Sequence, residues 1–278
     1  MTRVFPFLIL TLTLTLSIGC TPTPSKTPAI LFDDPATRGP TILKIFAAAS
    51  LTEAFTDMGE RFDDSHPGVR TVFNFAGSQQ LAQQLALGAP ADIIASADKE
   101  QMEVAIQTGR VSQESPLSFA SNQLVVIFPI DNPANVRSLQ DLANSNLDLV
   151  LAADAVPLGQ YTLMFLDNAN QNTAFSPDFK DSVLKNVVSY EENVKAVLTK
   201  VILGEAQAGI VYTSDVNSAN ISVIGTLDVP DSLNILATYY IAPTEDETQR
   251  ELTGEFVGFV LSPEGQNILA RYGFIPVR

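Results

Sequence analysis

An α/β protein of two lobes is what the sequence predicts, on two observations. Short apolar runs of β-forming residues alternate with stretches whose apolar residues recur at helical spacing. That order gives parallel strands with helices on their faces. The alternation then starts afresh near Leu124, and two such series are more than one sheet of this size needs.

Ile42 to Ala47 reads as the first strand. Leu51, Ala54, Phe55, Met58 and Phe62 fall on one face of a helix, and Val69 to Phe75 alternates as a strand. Leu81, Leu85 and Leu87 belong to a helix stopped by Gly88; Ala91 to Ala95 is a buried strand; Lys99 to Thr108 is a helix closed by Gly109. The second series has strands at Leu124 to Phe128 and Leu147 to Ala152, a helix from about Gln160, and a helix from Val194 to Leu203 that ends at Gly204. The strand Ala208 to Tyr212, the segment Ile221 to Ile224 and the strand Leu233 to Ala242 follow. Helices over about Glu247 to Leu261 and Pro263 to Tyr272 close the chain, and no repeat of fixed period is visible.

With 46% hydrophobic and 17% charged residues in 278, the body can bury a substantial core. The formal charge of -15 argues against nucleic acid, because phosphate backbones are held by Lys and Arg clusters and none is visible. An anion bound by such a chain would depend on local dipoles rather than on the overall field. Cys20 is the one cysteine, so no intrachain disulfide forms. His66 is the one histidine, which nearly excludes zinc sites of His and Cys. It lies in Asp63-Asp64-Ser65-His66-Pro67-Gly68, a helix end and turn, and reads as a surface residue.

Arg3 followed by the uncharged run Val4 to Ile18 makes residues 1–19 a secretory signal peptide, too short for a mature membrane span. The run ends Leu16-Ser17-Ile18-Gly19-Cys20, which resembles a bacterial lipobox with Ser17 where Leu is usual. Cys20 is therefore the expected lipidation site. Residues 20–40 carry Pro22, Pro24, Pro28, Pro35 and Pro40 and read as an extended tether. An exported body, anchored by lipid to the outer face of the cytoplasmic membrane, is the expectation.

In open α/β sheets ligands sit beyond the carboxyl ends of strands, where helix N-termini aim N–H groups outward. Four junctions have suitable chemistry. Ala47-Ala48-Ala49-Ser50-Leu51-Thr52-Glu53 has capping-box spacing, and its small alanines would admit a close guest. Phe75-Ala76-Gly77-Ser78 again sets a serine after a strand, in N-cap position. Val156-Pro157-Leu158-Gly159 opens a helix, and Glu191-Glu192-Asn193-Val194 offers Asn193 as a cap. Each junction is also a sufficient helix start with no ligand at all.

Ile45-Phe46-Ala47-Ala48-Ala49-Ser50-Leu51, Phe75-Ala76-Gly77-Ser78, Gly88-Ala89-Pro90-Ala91-Asp92, Gly209-Ile210-Val211-Tyr212-Thr213-Ser214-Asp215 and Arg271-Tyr272-Gly273-Phe274 together resemble the molybdate-binding proteins of bacterial ABC importers. The likeness runs from about Thr41 to Phe274. It implies a type II periplasmic-binding-protein fold, each lobe a mixed, mostly parallel sheet flanked by helices, the lobes hinged by crossing strands. Residues 41–122 and 238–278 would form lobe I and 123–237 lobe II. The resemblance also implies a molybdate or tungstate ligand held by Ser50, Ser78 and Tyr212 through hydroxyls and by Leu158 and Val194 through backbone N–H. The family often has alanine where Leu158 stands, a change of little weight for a main-chain contact. No cofactor and no metal beyond the bound molybdate is implied, and the partner is an ABC permease served by a monomer. A tetrahedral dianion offers only acceptors, which suits a site made wholly of donors.

Two rival readings stand beside it. A ferric-ion or sulfate-like receptor of the same fold is one, with Tyr239-Tyr240 as candidate iron ligands, although neighbours in a strand point to opposite faces. A hydrolase is the other, with Ser50 or Ser78 as nucleophile and Lys44 or Lys99 as base.

Overall fold

The structure, a computed structural model, describes residues 39–217 and 219–277. The signal peptide, Cys20 and nearly all of the tether lie outside the described residues.

β1 (Thr41–Ala48) leads through a 3-10 turn at Ala49–Leu51 into α1 (Thr52–Ser65). β2 (Val69–Ala76), α2 (Ser78–Ala86), β3 (Ile93–Ser96) and α3 (Lys99–Gln107) follow. β4 (Leu117–Asn122) passes through Gln123 directly into β5 (Leu124–Pro129). Next come β6 (Leu149–Ala152), α4 (Pro157–Gln171), α5 (Phe179–Lys185), β7 (Val187–Glu191), α6 (Val194–Ile202), β8 (Ala208–Tyr212) and β9 (Ile224–Asp228). β10 (Ala237–Pro243), α7 (Arg250–Leu261), α8 (Pro263–Arg271) and β11 (Ile275–Pro276) complete the chain.

Hydrogen bonding sorts the strands into two sheets, β11-β4-β10-β3-β1-β2 and β7-β6-β8-β5-β9. The chain crosses from the first sheet to the second at Gln123 and returns between β9 and β10, so the architecture is α/β and two-lobed. Asn234 stitches the two crossings together: its Oδ1 accepts from Leu124 N and its Nδ2 donates to Leu124 O, both at 2.9 Å. Parallel pairing is confined to β2-β1-β3 and β7-β6-β8. The remaining pairings, made by β4, β5 and β10, are antiparallel. The sheets are mixed, as expected, but parallel pairs do not predominate, because strands that cross between lobes bring reversed neighbours.

Alternation along β1 explains the packing. Leu43, Ile45 and Ala47 enter the main core, whereas Phe46 joins Leu81, Leu85, Ile94 and Met102 beneath α2 and α3. On the main-core side Phe55, Phe62 and Phe256 interlock edge to face, with Phe62 and Phe256 centroids 5.2 Å apart. Truncating one such ring costs about 3–5 kcal/mol.

Several elements differ from the sequence reading. α4 begins at Pro157, not Gln160, because proline's fixed φ and missing N–H suit the first helical position. α7 begins at Arg250 rather than Glu247. Ile221 to Val223 forms a turn, and the strand is β9. Residues 233–236 precede β10 rather than extend it. β4, α5 and β7 were not foreseen; β7 is an edge strand, buried on neither face, and lacks a clear apolar stripe.

Candidate functional site

The carboxyl ends of β1, β2 and β3 meet those of β6, β7 and β8 at the lobe boundary, and the turns leaving them enclose one small cavity. From the first lobe it is lined by Ala48, Ala49 and Ser50, by Gly77 and Ser78, and by Ala97. From the second it is lined by Val156, Pro157 and Leu158, by Asn193 and Val194, and by Tyr212. It offers about 20 Å³ to the centre of a water molecule. So small a space admits a small ion and leaves no room for a sugar or peptide.

All five residues singled out from the sequence line this one cavity, each 4% exposed or less. Ser50 is not a helix cap, although its spacing to Glu53 would allow one. It lies inside the 3-10 turn, and neither that turn nor α1 has a side-chain cap. The tight turn delays α1 to Thr52 and rotates Ser50 inward, where its Oγ is 2.8 Å from the Tyr239 hydroxyl. Glu53 correspondingly makes no capping box; its carboxylate pairs with Lys195 Nζ at 2.8 Å.

Ser78 is the first residue of α2, and Gly77, not Ser78, is the cap. Gln80 Oε1 accepts from Gly77 N at 3.0 Å. Ser78 Oγ accepts from Ala97 N at 3.0 Å, and a backbone N–H can only donate, so the hydroxyl proton of Ser78 is left for another acceptor. In α4 the N-cap is Val156 and Pro157 lacks an N–H, so Leu158 carries the helix's first. In α6 Asn193 is the cap, as expected, accepting from Ala196 N at 3.0 Å and leaving the N–H of Val194, the first helical residue. Such N–H groups have no carbonyl a turn behind them. Tyr212 ends β8, and its buried hydroxyl has no partner among the described residues. Burial above all, then the neighbouring Tyr239, holds its pKa well above the ordinary value, so it remains a neutral O–H donor.

None of the twelve lining residues is Asp, Glu, Lys or Arg. Helix N-termini supply partial positive charge, and three hydroxyls add donors, which is the chemistry of an anion site. Charges stand just outside. Lys195 Nζ lies 2.8 Å from Glu53 of the first lobe and 3.0 Å from buried Asp215 of the second. Burial alone would depress the Lys195 pKa, but Asp215 and Glu53 outweigh it and raise it. Gln79 and Gln80 of α2 each donate at 2.8 Å to Glu192 of the opposite lobe. The lobes are therefore joined by polar contacts outside the cavity lining.

Sequence reading missed Ala97 and Lys195, and it named Tyr239 only as a candidate iron ligand, not as a neighbour of Ser50. Ala97 had a signal: Ser96-Ala97-Asp98-Lys99 is one more strand-to-helix junction of the same topological kind. Nothing local announces that Tyr239, 189 residues away, meets Ser50.

The rivals fare differently from the five. His66 stacks on Phe62 with centroids 3.9 Å apart and lies 3.2 Å from Glu255; it lines no part of the cavity, nor do Lys44 and Lys99. Tyr239 is buried and Tyr240 half-buried, on opposite faces of β10. Among the described residues no group of His, Cys, Asp and Glu is arranged to hold a metal, and no helix is long and apolar enough to cross a membrane.

Fold and site define a two-lobed binding protein with a donor-lined interlobe cavity. The chain belongs to the bacterial extracellular solute-binding proteins, whose family model matches residues 43–275. It is 37% identical over 238 residues to the molybdate-binding protein ModA of Mycobacterium tuberculosis, covering 86% of each chain. Among solved structures, the substrate binding domain of a putative molybdenum ABC transporter from Clostridium difficile is 28% identical with a TM-score of 0.63, over 86% of this chain and 100% of that one. The sulfate-binding protein SubI from Mycobacterium tuberculosis has a TM-score of 0.75 at 17% identity, over 85% of this chain and 87% of that one. At that identity the likeness is one of fold, so the fold does not decide between oxyanions.

Proposed function

We propose that this chain captures molybdate, or its congener tungstate, in the interlobe cavity and delivers it to an ABC permease in the cytoplasmic membrane. The observation that carries this reading is a cavity sized for a small ion and lined by donors without a single carboxylate. Ser50, Ser78 and Tyr212 donate through hydroxyls, Leu158 and Val194 through N–H. Phosphate near neutral pH often keeps a proton and would want an acceptor, which the lining side chains do not offer as a carboxylate. Residues 41–122 and 238–278 act as one lobe and 123–237 as the other, closing on the ion by hinge motion. Residues 1–19 direct export, and lipid on Cys20 holds the monomer at the outer face of the membrane through the 20–40 tether. The protein carries its ligand and does no chemistry on it.

Calorimetric titration against molybdate, tungstate, sulfate and phosphate tests the ligand. Tight binding of the first two and weak binding of phosphate is the expected result; phosphate binding as tightly as molybdate would sink the reading. Cys20→Ala, expressed in bacteria, should move the protein from the membrane fraction to the soluble one.

A further inference from the structure

We infer that Asn122 and Tyr239, neither of which lines the cavity, form a hydrogen-bond relay that holds the hydroxyl proton of Ser50 on the cavity side. They are positioning residues for anion capture, an inference that rests on Ser50 being an anion donor.

The direction of the relay is set at Asn122, which ends β4 and is wholly buried at the lobe crossing. Gln123 N lies 3.0 Å from Asn122 Oδ1, and Thr213 Oγ1 lies 2.9 Å from it. A backbone N–H can only donate, so the amide oxygen must be on that side and the NH₂ group on the other. Nδ2 is then 2.7 Å from Ser214 Oγ and 3.5 Å from the Tyr239 hydroxyl. The second contact is long and weak as a bond, yet an NH₂ group cannot accept a proton at any distance. The single phenolic proton of Tyr239 is thereby directed to its other neighbour, Ser50 Oγ, at 2.8 Å. Ser50, accepting from Tyr239, keeps its own proton for the cavity.

The ring has no freedom to undo this. Tyr239 is fully buried and held edge-on by Phe119, Tyr212 and Phe274, with centroids 6.2, 6.0 and 5.4 Å away. Burial foremost also raises its pKa above the ordinary value, so the phenol keeps the proton the relay needs. The polarity matters because the guest has only acceptors. Were Ser50 to donate to Tyr239 instead, it would turn lone pairs toward the anion, changing an attraction into a repulsion. The same division of roles holds at Ser78, whose acceptor is occupied by Ala97 N. In each serine the protein supplies the donor and leaves the proton facing inward.

A double-mutant cycle on molybdate affinity, read by calorimetry, tests the relay in the full mature chain. Tyr239→Phe removes one oxygen and should weaken binding about five- to twentyfold, the range expected when a charged acceptor loses part of a donor. Ser50→Ala should weaken it at least as much, and the double variant S50A/Y239F should bind no worse than S50A. The melting temperatures without ligand should show coupling as well, because Ser50 and Tyr239 share a hydrogen bond in the folded state, so the relay is judged on the affinity cycle. Losses that multiply in the double variant, or Tyr239→Phe within twofold of wild type while Ser50→Ala binds poorly, would overturn the relay and leave the site standing. Ser50→Ala binding like wild type would overturn the site reading itself, and the relay with it. Asn122→Asp supplies an independent arm should Tyr239→Phe prove too unstable to titrate. A carboxylate accepts the phenolic proton and reverses the relay, so a loss beyond twentyfold is expected, and unchanged affinity refutes the inference.

Discussion

The two lobes contribute to the cavity by different means. The first supplies side-chain hydroxyls, Ser50 and Ser78, on turns of small residues. The second supplies main-chain N–H groups at Leu158 and Val194, whose side chains are apolar and point into the core, and adds one hydroxyl from Tyr212. In the first lobe residue identity makes the site; in the second, helix position makes it. A contrast of the same kind lies behind the cavity walls. Both lobes bury acids: Asp215 in the second is paired with Lys195, while of Asp92 and Asp98 in the first, Asp98 caps α3, accepting from Gln101 N at 3.0 Å, and one of its oxygens has no partner among the described residues.

If main-chain placement makes the second lobe's half, the most damaging change is one that shifts the α4 start. A Cβ on Gly159 would come within 1.9 Å of Ala153 O and 2.8 Å of Ala152 O, both backbone. Gly159→Ala should therefore cost about 3 kcal/mol of stability and abolish binding; a thermal melt matching wild type would refute the claim that α4 depends on this close approach. Hydroxyl losses come next. Ser50→Ala and Tyr212→Phe should each weaken molybdate affinity by about 1.5–3 kcal/mol, and wild-type affinity in both would show the cavity is not the site.

The buried acids sharpen the contrast through pH. Burial foremost raises the Asp98 pKa to about 6, against hydrogen bonds from Gln101 and Ser96 that lower it. A folded pKa above the unfolded one favours the protonated form, so this contribution is full below the ordinary carboxylate value and lost as pH rises through about 6. Asp98→Asn retains a cap oxygen and cannot ionise. Its stability relative to wild type should thus rise by about 2 kcal/mol between pH 4 and pH 7.5, as followed by urea melts; a constant difference would count against it.

Smaller effects are expected where the lobes touch. Glu53 and Lys195 are partly exposed, and Glu53→Gln should cost less than about 1 kcal/mol of affinity, a cost that shrinks with added salt. Salt-independent loss would mean the pair acts by shape rather than charge. The smallest effect is reserved for Leu158→Met, a volume-conserving change that keeps the N–H: affinity should stay within about 0.5 kcal/mol of wild type, and a large drop would give the side chain a role denied it above.

Much of this was legible in one dimension. Helical spacing from Leu51 to Phe62, the strand Ala208–Tyr212 and the cap Asn193 all read correctly, because apolar period and capping chemistry act over a few residues. The five cavity residues were assigned from a motif resemblance, which also named their roles. Local signals failed where a turn displaced the helix start, at Ser50 and Pro157, and where strands lacked an apolar face, at β7.

The sequence by itself determined most of the strands and helices, where donors occur, and that no carboxylate stands among the five chosen residues. Only the tertiary structure decided that Ser50 is a cavity hydroxyl rather than a cap, that Tyr239 backs it, and that Lys195 ties Glu53 to Asp215. Those relations join residues far apart in the chain, and the direction of a hydroxyl's proton depends on every neighbour packed around it.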